Sequence, residues 1–165
     1  MTHLQEATEV AADDIGARLA SEAPRLFAIA VAILRDPGDA EDAVQEAMTI
    51  AWKRWLTLRD EAARPRWLTQ VCVRQSITMR RRLHRSPVFA LDPGHAAPTT
   101  GVPDPDLDRV YPRLPVRQRA VLTLHYHYGY SLDETAALMG CRPGTARSHL
   151  ARALATLRRE LDGEE

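Results

Sequence analysis

The chain has 165 residues, and its 22 Lys and Arg balance 22 Asp and Glu, for a formal net charge of zero at pH 7. A hydrophobic share of 45% with 5% aromatics describes an ordinary globular protein, long enough for one medium domain or two small ones with a usable core. No apolar run approaches the roughly 18 residues of a membrane span, and the acidic opening "MTHLQEATEVAADD" has no apolar segment, so neither membrane insertion nor a secretory leader is expected and the cytoplasm is.

The zero total hides a pattern. Residues 1–63 carry 12 acids and 6 bases, whereas residues 64–85 carry 7 bases and no acid. Residues 86–112 are acidic again, 113–159 hold 8 bases against 2 acids, and the last six residues are acidic. Two separate basic islands result, and concentrated patches rather than totals set phosphate attraction. Arginine outnumbers lysine 21 to 1, which hints at a GC-rich genome. Cys72 and Cys141 lie far apart, and no His or Cys has a partner at ligand spacing; His125 and His127, two apart, do not share a helix face. Small buried thiols are expected, with no disulfide, metal or cofactor.

In chain order, a first helix is expected from about Asp14 to Leu34, with Leu19, Leu26, Ala30, Ile33 and Leu34 on one side. "RDPGDAED" stops and restarts the chain, Asp36 capping and Pro37 fitting the first turn. The second helix, about Asp39 to Trp55, has the cleanest pattern. Val44, Ala47, Met48, Ala51, Trp52 and Trp55 recur at three- and four-residue steps, and Asp42, Gln45, Glu46, Thr49 and Lys53 recur opposite them. On its own the second set reads more readily as an ordinary solvated face than as a binding surface. A third helix begins near Pro65 and runs through "RWLTQVCVRQSITMRRRL". Residues 85–106 hold five of the eleven prolines and two glycines with no periodicity, which reads as a linker. A short helix and one from about Pro115 to Tyr128, ended by Gly129, follow.

"YSLDETAALMGCRPGTARSHLARAL" then reads as a helix-turn-helix. Ser131 and Glu134 form a capping box, Gly140 supplies the positive φ of the turn, and Pro143 and Gly144 open the second helix. That helix has a buried stripe of Ala146, Leu150, Ala153, Leu157 and Leu161. Its opposite face, Gly144, Arg147, Ser148, Ala151, Arg152 and Ala155, combines small residues with two guanidinium arms. Small residues let a backbone approach a groove, and Arg reaches guanine edges or phosphates. Arginine alone is also a common exposed residue; the capping box, turn and helix lengths together favour DNA.

The stretch "LPVRQRAVLTLHYHYGYSLDETAALMGCRPGTARSHLARALATLR" resembles region 4 of bacterial RNA polymerase sigma factors, most closely the small extracytoplasmic-function (ECF) class. "RDPGDAEDAVQEAMTIAW" is similar to region 2.2 of the same family, "TLRDEAARPR" to the region 2.3 loop and the third helix to region 2.4. The resemblance implies an all-α protein of two small helical domains joined by a flexible linker: region 2 over 14–85, a linker over 86–106 and region 4 over 107–161. It implies that Asp39, Glu41, Asp42, Gln45 and Glu46 bind the polymerase β′ clamp helices. Arg66, Trp67, Arg74, Arg80, Arg81 and Arg82 would serve the −10 element. Thr145, Arg147, Ser148, His149 and Arg152 would read the −35 element, with region 4 also meeting the β flap. An anti-sigma partner is implied as well. Trp52 and Trp55, on the apolar stripe, are expected in the core rather than as a stacking platform; Trp67 could be either.

Departures from the family pattern are Met48 for Phe, Gln75 and Thr78 for Asn and Asp near the end of region 2.4, and His149 for Arg. No nucleophile–base grouping, phosphate loop or metal set points to an enzyme. The chain stops soon after region 4, which leads one to expect no appended regulatory domain. The competing reading is a stand-alone helix-turn-helix regulator acting as a dimer, which would leave the acidic face of the second helix unexplained.

Overall fold

A computed structural model describes residues 2–83 and 105–163, with side chains over 14–80 and 108–163. Among the described residues the chain is helical and without strands. Helix α1 spans Thr2–Leu34, α2 Pro37–Arg54 and α3 Arg64–Leu83. After residue 104 come α4 (Pro105–Val110), α5 (Val116–Leu122), α6 (Leu132–Met139) and α7 (Pro143–Asp162). The linker assigned to 86–106 lies outside the described residues except for Pro105 and Asp106, which open α4.

Helix α1 starts twelve residues earlier than expected, because the acidic opening is rich in residues that favour a helix. Ile15, Leu19, Leu26, Ile29, Ala30, Ile33 and Leu34 line its buried side, and Pro24 sits within it. Arg35 ends the helix with φ 63°, its N–H bonded to the Val31 carbonyl at 2.8 Å. Asp36 then accepts from the Asp39 amide at 2.8 Å, with Pro37 in the first turn, as the sequence indicates.

The three N-terminal helices close one core of their own, from Ile15, Leu19, Leu26, Val44, Ala47, Ala51, Trp55, Leu68 and Cys72, with Met48 and Trp67 packed at its edge. Trp55 is buried and Arg64 lies over its ring at 5.3 Å, donating also to Glu61 and to the Leu58 carbonyl. Arg64 therefore ties down the loop between α2 and α3. The expectation that Trp52 is core is not met: it is 51% exposed. Ala51 takes the position facing α1 and α3, and the neighbouring indole, about 100° further round the helix, lies at the rim over Gly16, 3.9 Å from where a Cβ would stand. Cys72 is buried, and burial pushes its thiol up to about 12, which makes it inert.

The C-terminal helices gather around Tyr111, Leu114, Leu122 and Ala153, with Leu150, Leu154 and Leu157 beside them. The expected helix to Tyr128 is α5 followed by a π turn over Thr123–His127. Tyr128 donates to the Thr123 carbonyl, and the Thr123 hydroxyl sits 2.6 Å from that of buried Tyr111. Gly129 ends the turn at φ 72°. On α7 the buried stripe holds at Ala146 and Ala153 but has run out at Leu161, which is 42% exposed one turn beyond Leu157.

The two halves also share a core. Ile29 and Ile33 of α1 and Val73 and Ile77 of α3 are buried with Ala120, Val121, Leu124, Leu138 and Met139. Among the described residues no helix is long and apolar enough to cross a membrane.

Candidate nucleic-acid and polymerase interfaces

The helix-turn-helix forms as its residues dictate. The Ser131 hydroxyl accepts from the Glu134 amide at 3.1 Å, and the Glu134 carboxylate accepts from the Ser131 amide at 2.9 Å. These bonds hold the Glu134 carboxyl below its ordinary range. Gly140, at φ 68° and ψ 41°, closes α6, and the Cys141 amide reaches back to the Ala136 carbonyl. Replacing Ser131 by Ala removes one half of the box and is expected to cost about 1 kcal/mol in denaturant titration.

Along α7, Thr145, Arg147, Ser148 and Arg152 are exposed on one side, with Gly144, Ala151 and Ala155 giving a low profile between them. The Ser148 hydroxyl donates to the Gly144 carbonyl at 3.0 Å, leaving its oxygen free to accept. Arg147 pairs with Asp133 of α6 at 3.1 Å. His149 is half-buried, and burial followed by Arg117 and Arg152 holds it below its ordinary value, so it is neutral at neutral pH. Its protonation is easier in the unfolded chain than in the folded one. Stability contributed by His149 is thus complete above pH about 6.5 and is lost as the pH falls below it. A His149→Gln variant is expected to show a smaller drop in melting temperature between pH 7 and 5.5.

On α2, Glu41, Asp42, Gln45 and Glu46 are all exposed and form one acidic and amide face. It continues across a groove to Gln75 and Met79 of α3. Asp39 does not belong to this open face. It is half-buried, burial and then Asp36 and Asp42 push its carboxyl up, and Arg80 of α3 offsets part of the rise. Arg80 is likewise partly buried, with its Nε enclosed and without a hydrogen-bond partner.

The basic track on α3 is divided. Arg66 and Arg74 are exposed but engaged: Arg66 with Glu134 at 3.3 Å, Arg74 with the Ala137 carbonyl at 3.2 Å. Trp67 packs at the edge of the N-terminal core. Arg81 and Arg82 fall on the last turn of α3, and their side chains lie outside those described. Sequence reading missed Gln70, which donates to the Ala137 carbonyl at 3.0 Å, and the burial of Arg119, which has only 3% exposure. Neither carries a periodic signal that sets it apart from ordinary surface residues. Among the described residues no group of His, Cys, Asp and Glu is placed to hold a metal.

Residues 19–86 match the family model described as Sigma-70 region 2, and residues 106–157 the one described as Sigma-70, region 4. An RNA polymerase sigma-E factor of Streptomyces coelicolor is 33% identical over 136 residues, covering 78% of this chain and 75% of that protein. The chain belongs to the ECF sigma factors of the sigma-70 family. The ECF RNA polymerase sigma factor SigM of Mycobacterium tuberculosis is 35% identical over 130 residues, 77% of this chain and 66% of that longer relative. Among solved structures, the sigma factor RpoE of Bartonella quintana, crystallised with the anti-sigma factor NepR, superposes with a TM-score of 0.70 at 25% identity. That superposition covers 92% of this chain and 99% of the other. The ECF assignment accounts for both halves, since the second half of α1 with α2 and α3 falls within the region 2 match and α4–α7 largely within region 4. The stand-alone regulator accounts for region 4 only.

Proposed function

We propose that this chain is a non-catalytic initiation factor of the cytoplasm that binds core RNA polymerase and directs it to promoters. The observation that carries this reading is the exposed face of Glu41, Asp42, Gln45 and Glu46 on the same chain as an outward-facing, arginine-bearing recognition helix. In this reading the α2 face docks on the β′ clamp helices, and α3 with the loop before it opens and reads the −10 element. Region 4 meets the β flap and reads the −35 element through Thr145, Arg147, Ser148 and Arg152. Arg66, Arg74 and Arg80–Arg82 give the −10 phosphates a cationic track, with Trp67 beside it. His149, neutral at physiological pH, contributes shape and hydrogen bonding there rather than charge. Asp39, half-buried with one carboxylate oxygen enclosed and without a hydrogen-bond partner, stands apart from the residues that meet the polymerase. The functional units are region 2 over 14–85 and region 4 over 107–161, joined by 86–106. Tethering two modest readers on one polymerase raises the effective concentration of the second.

The relatives' class makes an anti-sigma protein an expected partner, competing for the same surfaces. The test is a mobility-shift assay on promoter duplex with and without core enzyme. Specific binding is expected only with core; strong sequence-specific binding by the free protein would contradict this division of labour.

A further inference from the structure

Residues 113–159 hold 8 bases against 2 acids, and both acids sit at the start of α6, where Asp133 pairs with Arg147 and Glu134 with Arg66. At the other end of α6 the chain turns through Gly140, Cys141 and Arg142. There a cavity of about 510 Å³ opens between that turn, α3 and α5. Arg74 and Thr78 reach it from α3, Arg117 from α5, and Cys141 and Arg142 from the turn. The buried side chains of Ile77 and Met139 supply apolar ground beneath them. Among the described residues no carboxylate lines this space.

The three guanidiniums are unequally committed. Arg74 is exposed but oriented: its Nη2 donates to the Ala137 carbonyl at 3.2 Å, and its Nε lies 2.9 Å from where a Cβ on residue 140 would stand, so only glycine admits it. Arg117, half-buried, and Arg142, exposed, have no hydrogen-bond acceptor or ion-pair partner among the described residues. Three like charges around one opening repel one another. A multivalent anion between them removes that repulsion and gains charge-assisted hydrogen bonds. Thr78 adds to the imbalance. It stands where the family pattern has Asp, so a hydroxyl faces the arginines in place of a carboxylate. Arg147, Ser148 and Arg152 do not line the cavity, which is therefore distinct from the outer face of α7 assigned to the −35 element.

We infer that this cavity binds a phosphorylated small molecule of the nucleoside diphosphate class. Positive charge without a carboxylate selects phosphate, and Arg presents its donors in the fork that phosphate oxygens match. Guanidiniums from three separate elements call for two linked phosphates, since one phosphate does not span them. The volume, within the ~300–1,000 Å³ of ligand pockets, holds more than the phosphates, and Ile77 and Met139 receive the uncharged part.

The full wild-type chain carries its own reporter, because Cys141 is half-buried and lines the cavity whereas Cys72 is fully buried. Alkylation of Cys141 by uncharged iodoacetamide is followed by mass spectrometry. ADP at about 1 mM is expected to slow it about 5-fold, as a Kd of about 0.25 mM gives through the factor 1 + [L]/Kd. Inorganic phosphate at equal concentration and ionic strength is expected to slow it less than about 2-fold. Protection by ADP should be lost in the Arg117→Ala, Arg142→Ala pair and in Thr78→Asp, and kept in Arg158→Ala, an exposed arginine further along α7. Each variant is compared with its own ligand-free rate, and Thr78 is exposed, so an added charge there leaves the fold intact. No protection by ADP up to about 10 mM, undiminished protection in the variants, or equal protection by inorganic phosphate overturns the inference. Protection by a short DNA duplex of unrelated sequence with none by ADP also overturns it, and makes the cavity part of a DNA-binding surface. Neither polymerase nor promoter enters the readout, so its outcome is separate from that of the sigma function.

Discussion

Asp42→Arg is expected to raise the Kd for core RNA polymerase from about 30-fold to more than about 1,000-fold, that is, by about 2–5 kcal/mol. Asp42 stands exposed among Glu41, Gln45 and Glu46, so a partner that recognises this face offers donors or positive charge to it. A guanidinium at its centre sets like charge against that partner and adds bulk to a docking surface. The same exposure makes the substitution harmless to the fold, with stability expected to stay within about 0.5 kcal/mol. Asp39→Ala provides the contrast. Asp39 is half-buried and held beside Arg80, so its loss should act on stability rather than on polymerase affinity. Fluorescence anisotropy of the labelled protein against core enzyme checks both, and equal affinities for wild type and Asp42→Arg would remove the α2 face from the account.

The second large effect is expected from Arg147→Ala combined with Arg152→Ala. Each bidentate contact between a guanidinium and a base is worth about 1–3 kcal/mol of discrimination, so the pair should reduce −35-dependent initiation by one to several orders of magnitude. Freeing Arg147 from Asp133 costs little, because both side chains are more than half exposed and such pairs contribute at most about 1 kcal/mol. Transcription from a promoter with its −35 element scrambled should change little in the double variant, since the −10 and polymerase contacts remain. If the arginines touch only phosphates, affinity falls for all sequences alike and the salt slope drops by about one per arginine. Competition transcription on paired templates separates these outcomes.

Local features of this protein are legible in its sequence, and long-range ones are not. The Asp36–Pro37 start of α2, the Ser131–Glu134 box and the left-handed Gly140 each involve residues within a few positions, where residue chemistry decides the backbone. The two faces of α2 follow from its period, with Trp52 as the exception. Periodicity fixes a direction around the helix, but the width of the contact with α1 decides which rim residue is covered. The joining of the two halves carries no such signal. Arg119 bonds a carbonyl 86 positions away and Gln70 one 67 positions away. In "LPVRQRAVL" nothing in the sequence separates Arg119 from Arg117 in the same basic island, yet burial, together with Arg80 and Arg35, brings the Arg119 guanidinium down to about 10. Within the basic island of residues 64–85, Arg64 serves the loop before α3. A cluster of charge marks a surface in sequence, and only the fold tells which members the protein uses on itself.

Run-off transcription with purified core RNA polymerase on fragments of the source genome tests the central claim most directly. With this protein present, new transcripts should appear from promoters sharing a two-part, asymmetric element, and they should disappear with Asp42→Arg and with the Arg147→Ala, Arg152→Ala pair. No new transcript and no binding to core, together with footprints of the free protein on palindromic DNA, would contradict the account and make the chain a stand-alone regulator.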